Sequence, residues 1–457
     1  MIKEQELTLC TLGSVDAGKS SLIGCLITGK LDDGNGSARS VVCRYKHELS
    51  SGKTSSIATH SVKNFNKINK SVIFVDLCGH EKYLKTTLYG VMSYYPDYAI
   101  VIIGANRGIL KMTREHIKIL YHLKIPMIIV ITKTDLIDKL HEEDVHKKDN
   151  LAKITNDVKK IFSKGNFNVI DVNDTIESEK STSEIIANEK TIPLFKMSCK
   201  TGYGLNYFKD YLANLPKRIN MKLTKEIIPV LDIPSQTQIK ISNDFIFQIE
   251  TIYNPIGVGW VLTGILRHTL DHGFITPNTS MYLGPNKYNN ECVQLKVWSI
   301  FNFYHEKVDK LYCGQRGCLA IRGDKKITRD YFRKGSILTN NLDIIKKASY
   351  IYRAKIKLLN HPTNIKNNFT PVIHSGSIRQ SAKLTIVSKE ISSKKIDKKD
   401  TDDKIEDKKV IEDDKICIYP GDTAIIEIRF LYKPEIVEPG QIFFLREGLT
   451  LGIGSFI

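Results

Sequence analysis

The chain has 457 residues, of which 42% are hydrophobic and 26% charged, with a formal charge of +17. At roughly 150 residues per domain this is about three domains, and the balance excludes a wholly disordered or fibrous protein. The longest apolar runs, 98–105 and 126–131, are strand-sized and fall far short of the roughly 20 residues that a membrane-spanning helix needs.

The opening Met1-Ile2-Lys3-Glu4-Gln5-Glu6 is charged where a signal peptide would be apolar, so a cytoplasmic location without a membrane anchor is expected. Strands are predicted at 7–12, 71–77, 98–105, 127–132 and 192–198. Between them run helical patterns such as Leu22, Ile23 and Leu26, or Ile117, Leu120 and Leu123. That alternation predicts βαβ units around a mixed, mostly parallel sheet. A last helical stripe through Phe208, Tyr211, Leu212 and Leu215 stops at Pro216, which places the first domain at 1–218. Within it, 140–190 is polar and reads as one helix along Leu151, Ile154, Val158 and Ile161 followed by a loose insertion. Short strands with turn residues then predict one all-β barrel over 219–345 and a second over 346–457. At 389–415 Lys alternates with Asp and Glu, and the stretch reads as a disordered surface loop, either a solvated insertion or a partner tether.

Nine scattered cysteines without a C-x-x-C pair read as reduced thiols rather than a zinc site. The basic balance favours a polyanionic partner or reflects an AT-biased genome, and charge alone leaves both open.

Gly13-Ser14-Val15-Asp16-Ala17-Gly18-Lys19-Ser20, followed by Ser21, fits G-x-x-x-x-G-K-[ST] between a predicted strand and a predicted helix. Such glycines let backbone N–H groups wrap a β-phosphate while Lys19 reaches the β and γ oxygens and the Ser20 hydroxyl ligates Mg²⁺. Asp16 inside this loop either bonds its own loop or helps bind a monovalent cation. Asp76-Leu77-Cys78-Gly79 is a D-x-x-G, whose carboxylate holds an Mg²⁺ water and whose Gly79 N–H meets the γ-phosphate. Thr132-Lys133-Thr134-Asp135 offers a carboxylate to guanine N1–H and its 2-amino group, donors that adenine lacks. In Ser198-Cys199-Lys200 a backbone N–H is placed for guanine O6 and Lys200 for covering the ring. His80 follows Gly79 where the attacking water must stand, so it is the catalytic candidate. Thr54 is the candidate switch hydroxyl for Mg²⁺, with Ser55 and Thr59 as competitors.

These elements in this order resemble the translational GTPases of the elongation factor Tu and elongation factor 1-alpha superfamily. The resemblance extends through Ile256 to Gly264, Gly314-Gln315-Arg316-Gly317, Ile373 to Gln380 and Phe444-Leu445-Arg446-Glu447-Gly448. The eukaryotic GTP-binding protein one and two branch is the most similar, through Val15 to Ser20, His47-Glu48 to Ser56 and His80 to Thr87. It implies an α/β P-loop GTPase domain followed by two all-β barrels. The implied cofactors are GTP/GDP and Mg²⁺, in a switch cycle coupled to the ribosome, tRNA or mRNA. An exchange factor and a monomeric state belong to the same expectation. Carried over residue by residue are Asp16, Lys19, Ser20, Thr54, Asp76, Gly79, His80, Lys133, Asp135 and Ser198. Three positions depart from the family pattern. Thr132 replaces an Asn that braces the loops, Cys78 replaces a Pro and loosens the switch turn, and Lys53 replaces an apolar residue that helps to restrain the histidine, so His80 is expected to be differently gated. A GTP-holding adaptor with negligible turnover and a GTPase subunit of a metabolic enzyme are the competing readings.

Overall fold

Tyr98–Gly104 and Met127–Thr132 are buried at every position, the pattern of strands whose sheet is covered on both faces. The computed structural model describes residues 5–43, 48, 54, 56–65, 70–138, 145–173, 185–186, 188, 190–218, 244–268, 273–285, 292–323, 328–333, 335–390 and 417–457. They fall into two units, Met1–Asn220 and Met221–Ile457.

In the first unit β1 (Gln5–Gly13), β2 (Ala58–Val62), β3 (Lys70–Asp76), β4 (Tyr98–Gly104), β5 (Met127–Thr132), β6 (Asn168–Asp171) and β7 (Thr191–Lys196) form one sheet in the order β2-β3-β1-β4-β5-β7-β6. Neighbours are parallel except β2, which runs antiparallel to β3. Leu7, Leu9, Phe74, Ile100 and Phe195 pack in one core with Leu22 and Ile23 of the helix Lys19–Thr28 and Phe208 and Leu212 of the helix Leu205–Asn214. The carboxyl ends of β1, β3, β5 and β7 open onto the four motifs. This is the edge at which open α/β sheets bind ligands.

The expected loose insertion is corrected in part. The helix Val145–Ser163 buries Ile154 and Val158, and 168–171 forms β6, whose partner is β7. Four residues on a sheet edge carry too short an apolar pattern to announce themselves.

The second unit holds two closed barrels. Its strands are β8 (Phe245–Tyr253), β9 (Val261–His268), β10 (Phe274–Ile275), β11 (Ser280–Gly284), β12 (Val293–Asn302), β13 (Lys307–Val308), β14 (Leu311–Tyr312), β15 (Arg316–Arg322) and β16 (Ile337–Thr339), then β17 (Ile351–Asn360), β18 (Val372–Ser375), β19 (Ile378–Glu390), β20 (Thr423–Phe430), β21 (Ile442–Glu447) and β22 (Thr450–Phe456). The first barrel runs β11-β16-β8-β9-β15-β12 and closes where β12 pairs with β11. The second runs β17-β20-β19-β18-β21-β22 and closes through β22 and β17. Closure removes the unpaired edges that would invite aggregation. Between the barrels, Arg333 donates from Nη1 and Nη2 to the two oxygens of Glu435 at 3.1 and 3.2 Å, and Gln248 Nε2 donates to Ser377 Oγ. Arg333 and Glu435 are 13% and 5% exposed, so losing either partner would strand a desolvated charge. β19 continues through Lys389, whose ammonium meets Asp422 at 2.6 Å, to Glu390. The charged stretch is therefore corrected at its start, and 391–416 lies outside the described residues. Among the described residues no helix is long and apolar enough to cross a membrane.

Candidate nucleotide site

β1 delivers the chain into the glycine-rich loop, and the helix Lys19–Thr28 starts directly behind it with Gly18 as N-cap at φ 90°. Helix N-termini of this kind present free N–H groups to an anion. Val15, Asp16, Gly18, Lys19, Ser20, Ser21, Arg39, Thr54, Gly79, His80 and Lys133 line one cleft. Burial pushes the Lys19 ammonium below its ordinary pKa, opposed by the Asp76 carboxylate, and its Nζ donates to Ser14 O at 2.8 Å. Gly79 needs its missing side chain for closeness alone. A Cβ there would stand 2.5 Å from Lys19 Nζ and 2.6 Å from Gly13 O. The D-x-x-G backbone thus sits directly on the glycine-rich loop.

Three sequence candidates converge at one point. Ser20 Oγ donates to Asp76 Oδ2 at 2.7 Å, Thr54 Oγ1 reaches the same oxygen at 3.4 Å, and the two hydroxyls are 3.2 Å apart. Register explains why Asp76 points here, because Thr11 of β1 lies opposite it and donates from Oγ1 to Oδ1 at 3.0 Å. Two hydroxyls and a carboxylate are the hard oxygen donors that suit Mg²⁺. Of the competitors, Thr59 is taken up in β2, while Ser55 lies outside the described residues, as does the gating candidate Lys53.

On the base side, Ser198 Oγ donates to Asp135 Oδ1 at 2.6 Å and accepts from the Lys200 and Thr201 N–H groups, both at 3.2 Å. One hydroxyl therefore fixes both the carboxylate and the loop that carries Cys199 and Lys200. Thr132 keeps a bracing role with less chemistry than an amide. Its Oγ1 donates to Ala17 O at 2.6 Å, with Ile103 O at 3.3 Å. At the other departure, Cys78 is buried and its carbonyl accepts the Thr87 hydroxyl at 2.7 Å, a clamp on the turn that the sequence suggested would be loose. Burial pushes the Cys78 thiol up to about 12.

His80 lies at the mouth of the cleft and is exposed. Its Nδ1 accepts the Lys82 N–H at 3.1 Å, so the ring caps the short turn Glu81–Tyr83. Asp16 sits at φ 60° with its carboxylate 3.6 Å from the Arg107 guanidinium, a pair exposed enough to add little stability. Arg107 belongs to neither role foreseen for Asp16.

Three more site residues escaped the motifs. Arg39, on the short helix Ser37–Ser40, lines the cleft. Thr11 holds Asp76. His116, on the helix Lys111–His122, is fully buried, and its Nδ1 accepts the Gly13 N–H at 3.2 Å. A lone histidine in an apolar helical stripe was the available signal for His116. Arg39 and Thr11 gave none.

His116 makes a pH prediction. Burial, helped by Lys19, lowers its pKa from 6.5 to about 3, so the folded protein keeps it neutral. The unfolded chain takes a proton near 6.5, and stability must fall as pH drops below that value. Asp97, raised by burial to about 6, acts in the opposite sense. The difference between wild type and His116→Asn isolates the histidine. Denaturant unfolding at pH 7, 6 and 5 should show wild type losing up to ~1.4 kcal/mol per pH unit relative to the variant. A difference independent of pH would contradict this.

The model of the elongation factor Tu GTP binding domain matches residues 4–232. GTP-binding protein 1 of Xenopus laevis is 30% identical over 476 residues, covering 98% of this chain and 63% of its own length. GTP-binding protein 2 of Homo sapiens is 30% identical over 471 residues, covering 98% of this chain and 68% of its own. Among solved structures, the GTPase-like domain of Saccharomyces cerevisiae Ski7 bound to GTP superposes with a TM-score of 0.64 at 14% identity, over 99% of this chain and 97% of that one. A glycine-rich phosphate loop on a mostly parallel sheet, followed by two closed barrels, defines a GTP-binding protein of the translation-factor architecture. The chain belongs to the elongation factor Tu family of GTP-binding proteins. It spans 63% of the length of the frog GTP-binding protein 1.

Proposed function

We propose that the protein is an Mg²⁺-dependent GTP hydrolase of the translational elongation-factor type, cycling between GTP and GDP forms on the ribosome with tRNA or mRNA. The observation that carries this reading is the meeting of Ser20, Thr54 and Asp76 within 2.7–3.4 Å of one another beside Lys19 and Gly79. Thr54 comes from the segment before β2 and Ser20 from the phosphate loop. An arrangement requiring both is one that a γ-phosphate and its cation would order. Ser20, Thr54 and Asp76 would hold Mg²⁺, directly or through water. The bound ion would neutralise charge on the phosphate oxygens.

The chain's own groups do the rest. Backbone N–H groups of 14–21 and the Lys19 ammonium would bind the phosphates, the Gly13 N–H being taken by His116. Asp135, oriented by Ser198, would accept both guanine donors, and Lys133 and Lys200 would cover the ring. His80 would orient the attacking water. A cytoplasmic, monomeric protein with an exchange factor completes the proposal.

The adaptor reading draws support from one feature, the tying of His80 Nδ1 to the Lys82 N–H. Multiple-turnover assays of GTP and ATP, with and without eukaryotic ribosomes, separate the two. Ribosome-accelerated GTP turnover with no ATP turnover is expected. Tight GTP binding with no turnover under either condition would favour the adaptor.

A further inference from the structure

The neighbouring strands β11, β12 and β15 of the first barrel contain no aspartate or glutamate. They alternate as strands with one buried face do: Leu295, Val297 and Ile321 enter the barrel core, while Gln294, Lys296, Trp298 and Arg322 are exposed. The register shifts between Val297 and Ser299, which places Trp298 in a bulge, a device that re-aims a side chain. The Arg322 guanidinium lies over its indole ring at 3.5 Å.

Two features of this face do nothing for the fold. Lys296 and Arg322 stand directly opposite each other in the antiparallel ladder, where like charges repel. Neither makes an ion pair among the described residues. Arg316, the third cation of these strands, shows the contrast, being buried and paired with Glu250. Trp298, even under the guanidinium, keeps 52% of its surface exposed. The result is an indole–guanidinium stack open to solvent, with an uncompensated ammonium across the ladder. Nucleobases stack on indole and guanidinium planes, and the phosphates between them pair with Lys and Arg. An acidic protein segment would satisfy the two cations and leave the indole unused.

We propose that this outer face of β11, β12 and β15 binds single-stranded RNA, with a base stacked on the Trp298–Arg322 pair and the flanking phosphates held by Lys296 and the edge of Arg322. That the strand is RNA rests on the ribosomal role proposed above; the stacking and the phosphate contacts rest on the face itself.

The protein has two tryptophans, so the face can be read in solution. Trp260 packs on Phe332 with ring centroids 4.8 Å apart, and Trp260→Phe keeps an aromatic ring there while leaving Trp298 as the single emitter. Titrating that full-length variant with oligoadenylate should quench its emission, and base-free polyphosphate should not. Affinity for a labelled oligoadenylate, followed by anisotropy, should fall roughly tenfold in Trp298→Ala, the loss of one stacked base, and recover in Trp298→Phe. Lys296→Gln should flatten the dependence of log K on log salt by about 0.7. Its melting temperature should not fall, because the substitution removes a like-charge pair. Strand binding with unquenched Trp298 emission would overturn the proposal and leave the face to a protein partner, as would equal affinity in wild type and Trp298→Ala. Equal weakening of oligoadenylate and polyphosphate by Trp298→Ala would also overturn it, since no base would then be stacked. None of these titrations uses a guanine nucleotide, so absence of ribosome-stimulated GTP turnover would sink the hydrolase reading and leave this result to stand or fall by itself.

Discussion

Replacing His80 with alanine is expected to reduce ribosome-stimulated GTP turnover by about 10²–10⁴-fold, the range typical of a lost acid–base or water-positioning group. Nucleotide affinity should stay essentially unchanged. The separation follows from position. His80 is exposed at the mouth of the cleft and caps an exposed turn, whereas Lys19 donates to Ser14 O and Ser20 to Asp76 deeper in the site. Removing the ring frees the Lys82 N–H, which solvent can satisfy, and gives up an edge contact with the Tyr83 ring, so the fold should lose about 1 kcal/mol. Single-turnover kinetics with saturating GTP, alongside titration of a non-hydrolysable analogue, check both halves. Equal rates for wild type and His80→Ala would remove the histidine from the chemistry and move weight to the adaptor reading.

Catalysis by His80 would fall to Nε2. Nδ1 accepts from Lys82, and the ring caps the turn Glu81–Tyr83. Lys53, the residue expected to alter the gating of His80, lies outside the described residues, and its role stays with the sequence argument.

The legible parts of this protein were those whose chemistry is local or whose burial is complete. The glycine-rich loop reads from one short segment because every residue in it serves one phosphate group. β4 and β5 read because both of their faces are buried. What stayed hidden was assembled by distance. Gly13 and His116 are 103 positions apart, and only the packing of a helix under the loop joins them. Thr11 becomes a partner of Asp76 through the β1–β3 register. β2 was hidden for another reason, since its edge position leaves all but Ala58 only partly buried. Thr132 shows the sequence pointing to the right place with incomplete chemistry. The departure from the family pattern was visible, but that a hydroxyl would still reach Ala17 O depended on where β5 ends.

Asp135→Asn should reverse base preference, with GTP affinity falling roughly 10²–10⁴-fold and xanthosine triphosphate affinity rising. Guanine offers two donors on one edge, N1–H and the 2-amino group, and a carboxylate can accept both. Each such charge-assisted bond is worth about 1.5–3 kcal/mol, and asparagine replaces one acceptor oxygen with an amino group that opposes the 2-amino group. Xanthine carries a carbonyl at that carbon, so the asparagine amide would find an acceptor there. The remaining amide oxygen can still take the Ser198 hydroxyl that now reaches Oδ1 at 2.6 Å, so the loop should keep its shape. Ser198→Ala supplies the contrast. It would leave the carboxylate in place but free to rotate, and it would leave the Lys200 and Thr201 N–H groups without their shared acceptor. Affinity should then fall by roughly tenfold with no gain for xanthine. Competition titrations with GTP, xanthosine triphosphate and ATP on both variants resolve the two effects. If Asp135→Asn weakened all three nucleotides equally, the residue would be supporting the loop rather than reading the base.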